Sequence, residues 1–420
     1  GDSDEETVAQ IRENPYLQYF IGLKEFQTKA PFDPSLMTHF RKRLNFNIIT
    51  SINESITKQK KKPKDNHKDG NPPKSGTLSH KPANKGKLIL DATCVPADVE
   101  YPTDLNLLNQ AREKLETIID ILHFPFKGIR KRPRTYRNIA RKKYLTVAKN
   151  RRPSAKILRR AKGQQLGYVN RNLKTVERLQ KTPGCGKLSP KQIQLLQTIK
   201  ELYTQQKTMY KTKKHSIPNR IISLSQPWVR PIVRGKVKNK TEFGAKVAVS
   251  LVKGYVTIER LSWDNFNEGT DLIASVERYK ERFGHYPEAV IADKLYRNRN
   301  NLNYCKKLGI RLSGPPLGRP KAKARKIQSL QEKQDARIRN AVEGKFGEGK
   351  RCYGLARITA RLKETSKTVI ALQFLVMNLE HRLRILLILF YNWLQNANWR
   401  EFCTFYTRVL FTKNKNVFVQ

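Results

Sequence analysis

The feature that constrains this chain most is a stretch of 36 residues, Lys127 to Lys162, which holds 16 Lys or Arg and no Asp or Glu. Charges at this density repel one another in a compact fold unless an anionic partner neutralises them. The whole chain shares the imbalance, because its 420 residues carry 84 basic and 35 acidic side chains, a formal net charge of +49. This charge excludes an ordinary metabolic enzyme and favours a polyanion as partner.

Composition divides the chain into segments. Hydrophobic residues make up 38% of it, which is enough for a core. We predict an N-terminal helical domain over residues 1–57 and a disordered basic linker over 58–87. An α/β domain over 88–365 follows, and a helical tail over 366–420 completes the chain.

Cysteine use and hydropathy bear on the compartment. The five cysteines are scattered, odd in number and without a Cys-x-x-Cys pair, so we predict reduced thiols and neither disulfides nor a zinc site. The most apolar run, residues 385–391, is seven residues long, whereas a membrane span needs about 20. We therefore expect no membrane partner and an intracellular protein.

Two short apolar runs end in an acid. Residues 88–90 precede Asp91, residues 289–292 precede Asp293, and both runs are typical of buried strands. A third acid, Glu343, lies in a long predicted helix over residues 329–350. At about 100° per residue, Arg339, Glu343 and Lys350 fall within about 40° of one another on that helix.

This set of acids suits the cutting of a phosphodiester. Such a reaction needs a nucleophilic oxygen to be activated and a leaving oxygen to be stabilised, and two Mg²⁺ ions about 4 Å apart do both. Mg²⁺ prefers oxygen ligands, which carboxylates on separate elements can supply. However, an acid at a strand end is more often a turn or cap residue, and Glu343 could simply pair with Arg339. The residues alone leave both interpretations open.

Ordered motifs extend the pattern over nearly the whole chain. Arg339-x3-Glu343-x6-Lys350 is followed by Tyr353-Gly354-Leu355, and Leu90-Asp91-Ala92-Thr93 is followed by Tyr101-Pro102-Thr103-Asp104-Leu105. In these segments and their order, the chain resembles bacterial DDE transposases of the insertion-sequence-five type. The resemblance implies an α/β fold: a ribonuclease-H-like mixed five-stranded sheet with flanking helices.

The resemblance also implies a mechanism and partners. Asp91, Asp293 and Glu343 would hold Mg²⁺, or Mn²⁺ in its place, while Arg339 and Lys350 would touch phosphates. Water would cut the DNA strand, and the freed 3′-hydroxyl would attack target DNA. The expected partners are double-stranded DNA, both terminal inverted repeats and target DNA, and a second copy of the chain in a homodimer on DNA. The resemblance also implies that the N-terminal helical domain binds the element ends or serves dimerisation, and that the protein is cytoplasmic and nucleoid-associated.

A large basic insertion distinguishes this chain. After the strand that bears Asp91, the next candidate strand begins near residue 220, and helical sequence fills the gap. We predict that residues 103 to about 218 form a helical subdomain beside the catalytic cleft, while the strand near Phe243–Leu251 pairs with Leu88–Asp91. The residues expected to contact DNA are Arg130, Lys131, Arg132, Arg134, Arg137 and Arg141.

Two departures from the family pattern leave an alternative open. Ala336 stands where the family usually has Tyr, and Ala292 and Leu295 stand before and after Asp293-Lys294 at two places usually held by Gly. Losing glycine there could displace the loop. The alternative is a relic that binds DNA but cuts it poorly. A third interpretation, a basic RNA-associated protein, accounts for the charge but not for the ordered motifs.

Overall fold

The computed structural model describes residues 3–58, 83–233, 241–315 and 324–396. Most of the linker predicted over 58–87, and residues 397–420 of the predicted tail, lie outside the described residues. The described helices are α1 Asp4–Glu13, α2 Pro15–Phe20, α3 Ser35–Arg43, α4 Phe46–Thr57, α5 Asp104–His123, α6 Arg137–Ala148, α7 Ala155–Gln180, α8 Pro190–Thr212, α9 Leu272–Phe283, α10 Arg299–Lys307, α11 Ala324–Cys352 and α12 Lys363–Asn396. The described strands are β1 Lys87–Pro96, β2 Arg230–Val233, β3 Thr241–Val252, β4 Tyr255–Ser262, β5 Ala289–Ile291 and β6 Arg311–Leu312.

The strands form one mixed sheet in the order β2-β3-β1-β5-β6, with β4 also paired to β3. β1 runs parallel to β5 and antiparallel to β3, so the predicted pairing of residues 243–251 with 88–91 is observed. Both β2 and β4 pair with β3 on the side away from β1, at opposite ends of that strand. The described sheet thus has six strands in place of the predicted five, because the short β2 continues the row of β4. This mixed α/β arrangement is compatible with a ribonuclease-H-like fold.

Each face of the sheet is covered by its own hydrophobic cluster. On one face, Ile89 and Ile291 pack with Val342 and Phe346 of α11 and with residues of α12. On the other face, Leu88 and Leu90 pack with residues of α9 and α10. Side chains alternate between the faces of a strand, so Asp91 lies on the same face as Ile89. That face is the one covered by α11.

Three of the four helices between β1 and β2 share a separate core, and α6 packs beside it through a small cluster of Leu105, Val147 and Ala161. α5 packs along α7 and α8 through leucine, isoleucine and valine side chains such as Leu115, Val176 and Ile199. Within α5, the buried guanidinium of Arg112 donates to Glu116 at 2.6 Å and to Asn109 at 2.7 Å. The basic segment, residues 127–162, is therefore part of a packed helical unit that follows β1 in the chain.

One predicted strand is absent. Arg220–Leu224 was a strand candidate, but these residues have no regular structure. Their apolar side chains are nevertheless buried: Ile221 and Leu224 join the core of the insertion, while Ile222 joins the sheet cluster. The segment connects the helical insertion to the sheet, and its apolar side chains are buried in both. Its sequence therefore has the apolar content of a buried strand.

Elements from both ends of the chain meet on β4. Asn378 of α12 donates to the carbonyl of Val256 and to Asn53 of α4, both at 2.6 Å. Ile49 of α4 and Phe374 of α12 are buried in the cluster that covers the sheet. The proposed boundaries at residues 57 and 365 therefore do not separate α4 or the first half of α12 from this cluster. No helix in the described part of the chain is long and apolar enough to cross a membrane.

Candidate active site

Asp91 lies within β1 and is the most enclosed of the three candidate acids. It pairs with Val249 of β3, and its Oδ1 accepts a hydrogen bond of 2.8 Å from the backbone N–H of Ala92. Burial raises the pKa of Asp91 to about 6, and the negative charges of Glu268 and Glu343 act in the same direction. The Ala92 hydrogen bond and the charge of Arg339 oppose that rise. Asp91 is thus a carboxyl that sits among other acids away from bulk water.

Asp293 occupies the corresponding position after β5. Ile89 pairs with Ile291 in the parallel register, and each aspartate follows two residues later on the same face. The Asp293 carboxylate accepts a 2.7 Å hydrogen bond from the N–H of Lys294 at the start of a short 3₁₀ turn, Lys294–Tyr296. The side chain remains 44% exposed. The cap role that was the alternative for a strand-end Asp is therefore present.

A buried hydrogen-bond network seats the turn after Asp293. The amide of Asn301 donates to the carbonyls of Tyr296 and Gly269, at 2.8 and 2.7 Å. Gly269 approaches the turn so closely that a Cβ there would lie 2.5 Å from the carbonyl oxygen of Leu295. Contacts from Asn301 of α10 and from Gly269 therefore hold the turn that follows Asp293 in place.

Glu343 and Arg339 project from α11, which packs on β1 and β5 through Val342 and Phe346. One guanidinium nitrogen of Arg339 lies 3.2 Å from Asp293, and the other lies 3.3 Å from Glu343. The i,i+4 pair that was the alternative interpretation of Glu343 is thus formed. The same arginine also reaches the acid on β5, which the helix alone could not indicate.

Arg339 is therefore the cation around which the candidate acids gather. It bridges Asp293 and Glu343, and its charge lowers the pKa of Asp91 against the effect of burial. Within the described ranges, no three His, Cys, Asp or Glu side chains are grouped so that they could hold a metal ion. Lys350 lies partly buried about two helical turns beyond Glu343 on α11.

Three residues beside Asp91 were not singled out for chemistry from the sequence. Glu268 forms a 2.8 Å ion pair with Lys246, and both side chains are largely buried. Tyr296 is buried, and its pKa is raised by burial and by the charges of Glu268, Asp91 and neighbouring acids. Tyr296 does fall in the loop after Asp293 that was compared with the family pattern. Glu268 carried no such signal, because only the folded loop brings it near β1.

The basic residues of the insertion fall into groups with different contacts. Arg132 and Arg137 both pair with Asp120 of α5, Arg137 at 2.9 Å. Arg130 stacks over Phe126, and Arg134 stacks over Tyr136, with guanidinium carbons 5.0 and 4.7 Å from the ring centroids. Lys131 and Arg141 are exposed, and no acidic residue of the described chain pairs with either. Part of the predicted DNA-contacting set therefore also holds the insertion together.

The two departures from the family pattern cause no visible distortion. Leu295 is largely exposed, and neither it nor Ala292 has a positive φ, the backbone region that favours glycine. Ala336 is exposed on α11. Its neighbour Asp335 is buried and accepts two hydrogen bonds, of 2.6 and 2.9 Å, from Arg311 of β6. The loop after Asp293 is thus held without glycine in it.

Comparison with known proteins gives two family matches and one curated relative. Residues 290–380 match the family described as "Transposase DDE domain", and residues 1–43 match "Transposase domain (DUF772)". Asp293, Arg339 and Glu343 lie inside the first segment, whereas Asp91 lies outside both. No solved structure matches.

The curated relative is the "Uncharacterized protein ORF8 in nfe locus" of Rhizobium meliloti, which is 31% identical over 113 residues, or 27% of this chain. The chain spans about half of that relative's length, 48%. Its printed description names no activity.

DDE transposases generally use a divalent metal. The two family matches together support a DNA transposase of the insertion-sequence kind.

Proposed function

We propose that this protein binds the ends of its own mobile element and catalyses metal-dependent cleavage and strand transfer of DNA. The observation that supports this most is the placement of Asp91 and Asp293 after equivalent residues of two adjacent parallel strands, on the face covered by α11 and Glu343. A segment matched to a transposase DDE domain includes two of these three acids. Because the reaction acts on two element ends, two copies of the chain are proposed to act together.

The donor chemistry of the site fits a divalent cation. All three candidate ligands are carboxylates, which Mg²⁺ and Mn²⁺ prefer. Arg339 now supplies the positive charge between Asp293 and Glu343. We propose that Asp91, Asp293 and Glu343 hold the metal once Arg339 has turned away from them. Such a metal, when bound, would activate water and stabilise the leaving oxygen.

The residues of α11 would then serve the substrate. An arginine released from two carboxylates can donate two parallel hydrogen bonds to a phosphate. Arg339 lies on the exposed side of α11, next to the acids, where a DNA backbone would pass. Lys350 lies on the same stripe of the helix, so we propose that both contact phosphates near the cut.

The insertion is placed to extend this interface. β1 and β5 are parallel, so Pro96 and Asp293 both lie towards the carboxyl ends of their strands. α5 begins only eight residues after Pro96. The insertion therefore starts at the same end of the strands at which Asp293 lies. We propose that its basic segment follows the DNA leading into the site, with Lys131 and Arg141 free to meet phosphates.

A strand-nicking assay tests the catalytic proposal. Supercoiled plasmid with Mg²⁺ or Mn²⁺ should be nicked by the protein, and D91N, D293N and E343Q should each abolish nicking while duplex binding persists. The matched control is E281Q, which removes an exposed acid from α9. Nicking that survives in any of the three variants, or a concurrent loss of duplex binding, would contradict the assignment of that acid as a metal ligand.

Salt dependence tests the DNA interface. Each phosphate contact releases counterions, so the logarithm of duplex affinity should fall linearly with the logarithm of salt concentration. Neutralising Arg130, Lys131, Arg132 and Arg134 together should flatten that slope by roughly 0.9 for each phosphate that these side chains neutralise in the wild-type complex. An unchanged slope would show that the segment is a solvated face. Structured RNA competing better than duplex DNA would favour the RNA-associated alternative.

The relic alternative has one observation in its favour. Arg339 neutralises two of the three acids, and the described residues contain no ready cluster of three ligands. A relic would bind duplex DNA and fail to nick it with either metal, and R339Q would not restore cutting. An active enzyme would nick DNA in the same assay.

A further inference from the structure

The second half of α12 presents many apolar side chains to solvent, and between residues 386 and 391 they lie on every side of the helix. Within its first half, Ile370 and Phe374 are buried against the sheet. A different face carries seven large apolar side chains, each 40% to 54% exposed, separated alternately by four and three residues. We call this set the apolar seam: Leu372, Val376, Leu379, Leu383, Leu386, Phe390 and Trp393.

This spacing is the heptad pattern of a coiled coil. Apolar residues repeating every 3.5 positions keep one seam facing a partner helix, and three heptads are enough to favour such pairing. The seam spans residues 372–393, or about 33 Å of helix. It continues past His381, which packs edge-to-face on Tyr255 of β4, and past Arg384, which pairs with Glu348 of α11 at 3.1 Å. The core therefore explains the first half of α12 but not the second.

The exposed area is the size that a stable pairing requires. Large apolar side chains present on the order of 150–200 Å² when free, so seven that are about half exposed, with Leu387 and Leu394 beside them, offer roughly 700–800 Å². A standard interface buries about 800 Å² from each partner. Monomeric proteins rarely leave an apolar patch of this size in contact with water.

We propose that the apolar seam packs against the same seam of a second copy of this chain, as a two-helix coiled coil. A two-fold contact places one surface against its own copy, and a seam of Leu, Val, Phe and Trp is complementary to itself. The proposal rests on α12 alone and does not depend on the function proposed above. If both are correct, the helix pair would link two catalytic units.

The test uses the full chain, freed of nucleic acid with nuclease and studied in high salt. Sedimentation equilibrium should give twice the chain mass of 48.7 kDa. The double variant L383E/F390E places two charges in the seam, and it should weaken self-association by on the order of a hundredfold or more. Both side chains are exposed, so circular dichroism should show an unchanged fold.

The matched control is I388E. Ile388 is as exposed as the seam residues, at 60%, but it lies on the opposite side of the helix by the heptad spacing. This variant should remain a dimer. A wild-type chain that is monomeric at about 100 µM would overturn the proposal and point to residues 397–420 of the same chain as the cover. Equal dissociation of I388E, or a wild-type oligomer larger than a dimer, would overturn it as well.

Discussion

Asp91 and Asp293 occupy equivalent positions on adjacent parallel strands, yet their surroundings differ. Asp91 is enclosed by the sheet and by other acids, and its pKa is raised to about 6. Asp293 is 44% exposed and is paired with Arg339 at 3.2 Å. The raised pKa of Asp91 comes mainly from burial and secondarily from the neighbouring acids, whereas the charge of Asp293 is balanced by an arginine. The two carboxylates therefore differ in how their negative charge is accommodated.

The largest effect should come from replacing Asp91 with Asn. A carboxyl whose pKa is higher in the folded than in the unfolded chain favours the folded state most at low pH. That stability is lost as pH rises from the ordinary 3.8 through about 6. In a chelating buffer, D91N should therefore raise the free energy of unfolding at pH 8 by up to roughly 3 kcal/mol and change it little at pH 4. Denaturant unfolding at both pH values measures this.

D293N is the comparison for that experiment. The substitution removes a partly exposed ion pair, which typically contributes less than about 1 kcal/mol. D293N should therefore slightly lower the free energy of unfolding at pH 8, opposite in sign to D91N. The same gain from both variants would mean that the two sites do not differ as their surroundings indicate.

A substitution at Gly269 should disturb the turn after Asp293 and leave the surroundings of Asp91 unchanged. In G269A, the new methyl group would meet the carbonyl of Leu295 at 2.5 Å, and backbone must move to admit it. Overpacking of this kind costs about 1–3 kcal/mol. G269A should lose about 2 kcal/mol of stability and lose nicking activity, while G167A, on α7 with open space around its Cα, should gain slightly. An active, fully stable G269A would show that the turn after Asp293 is not held by this contact.

The smallest expected effect concerns Arg339. A metal must displace its guanidinium from Asp293 and Glu343, so R339Q should bind Mn²⁺ about tenfold more tightly, a change of about 1.4 kcal/mol. Electron paramagnetic resonance of free Mn²⁺ gives the affinity without any cutting assay. R337Q removes an exposed charge from the same helix and should leave the affinity almost unchanged. Weaker Mn²⁺ binding in R339Q would mean that the arginine supports the metal and does not compete with it.

The sequence predicted those parts of the site that depend on local pattern. Apolar runs identified β1 and β5, but the expectation that both strands end at an acid was wrong for Asp91, because β1 continues to Pro96. Helical spacing placed Arg339 and Glu343 on one stripe. The contact between Arg339 and Asp293 depends on how α11 crosses the sheet, and local spacing contains no information about that crossing. Glu268 was missed for the same reason, since a loop carries it to β1.

The errors in the fold have a similar cause. Residues 220–224 have the apolar content of a strand, but their side chains divide between two cores, so burial came without strand pairing. The four residues of β2 gave too short a pattern to separate from a loop, and they form a strand because β3 extends beyond β4 and offers them an edge. Both outcomes depend on neighbours that are distant in sequence.

The amide pair of Asn53 and Asn378 has a consequence for synthesis on the ribosome. β4 is made after α4 and before α12, but its cover requires both helices. The strand cannot bury the side that faces these helices until residue 378 has left the exit tunnel. Nascent chains should therefore expose this apolar side from the time β4 is made until α12 follows it, and messages that end before α12 should yield protein that is degraded instead of accumulating.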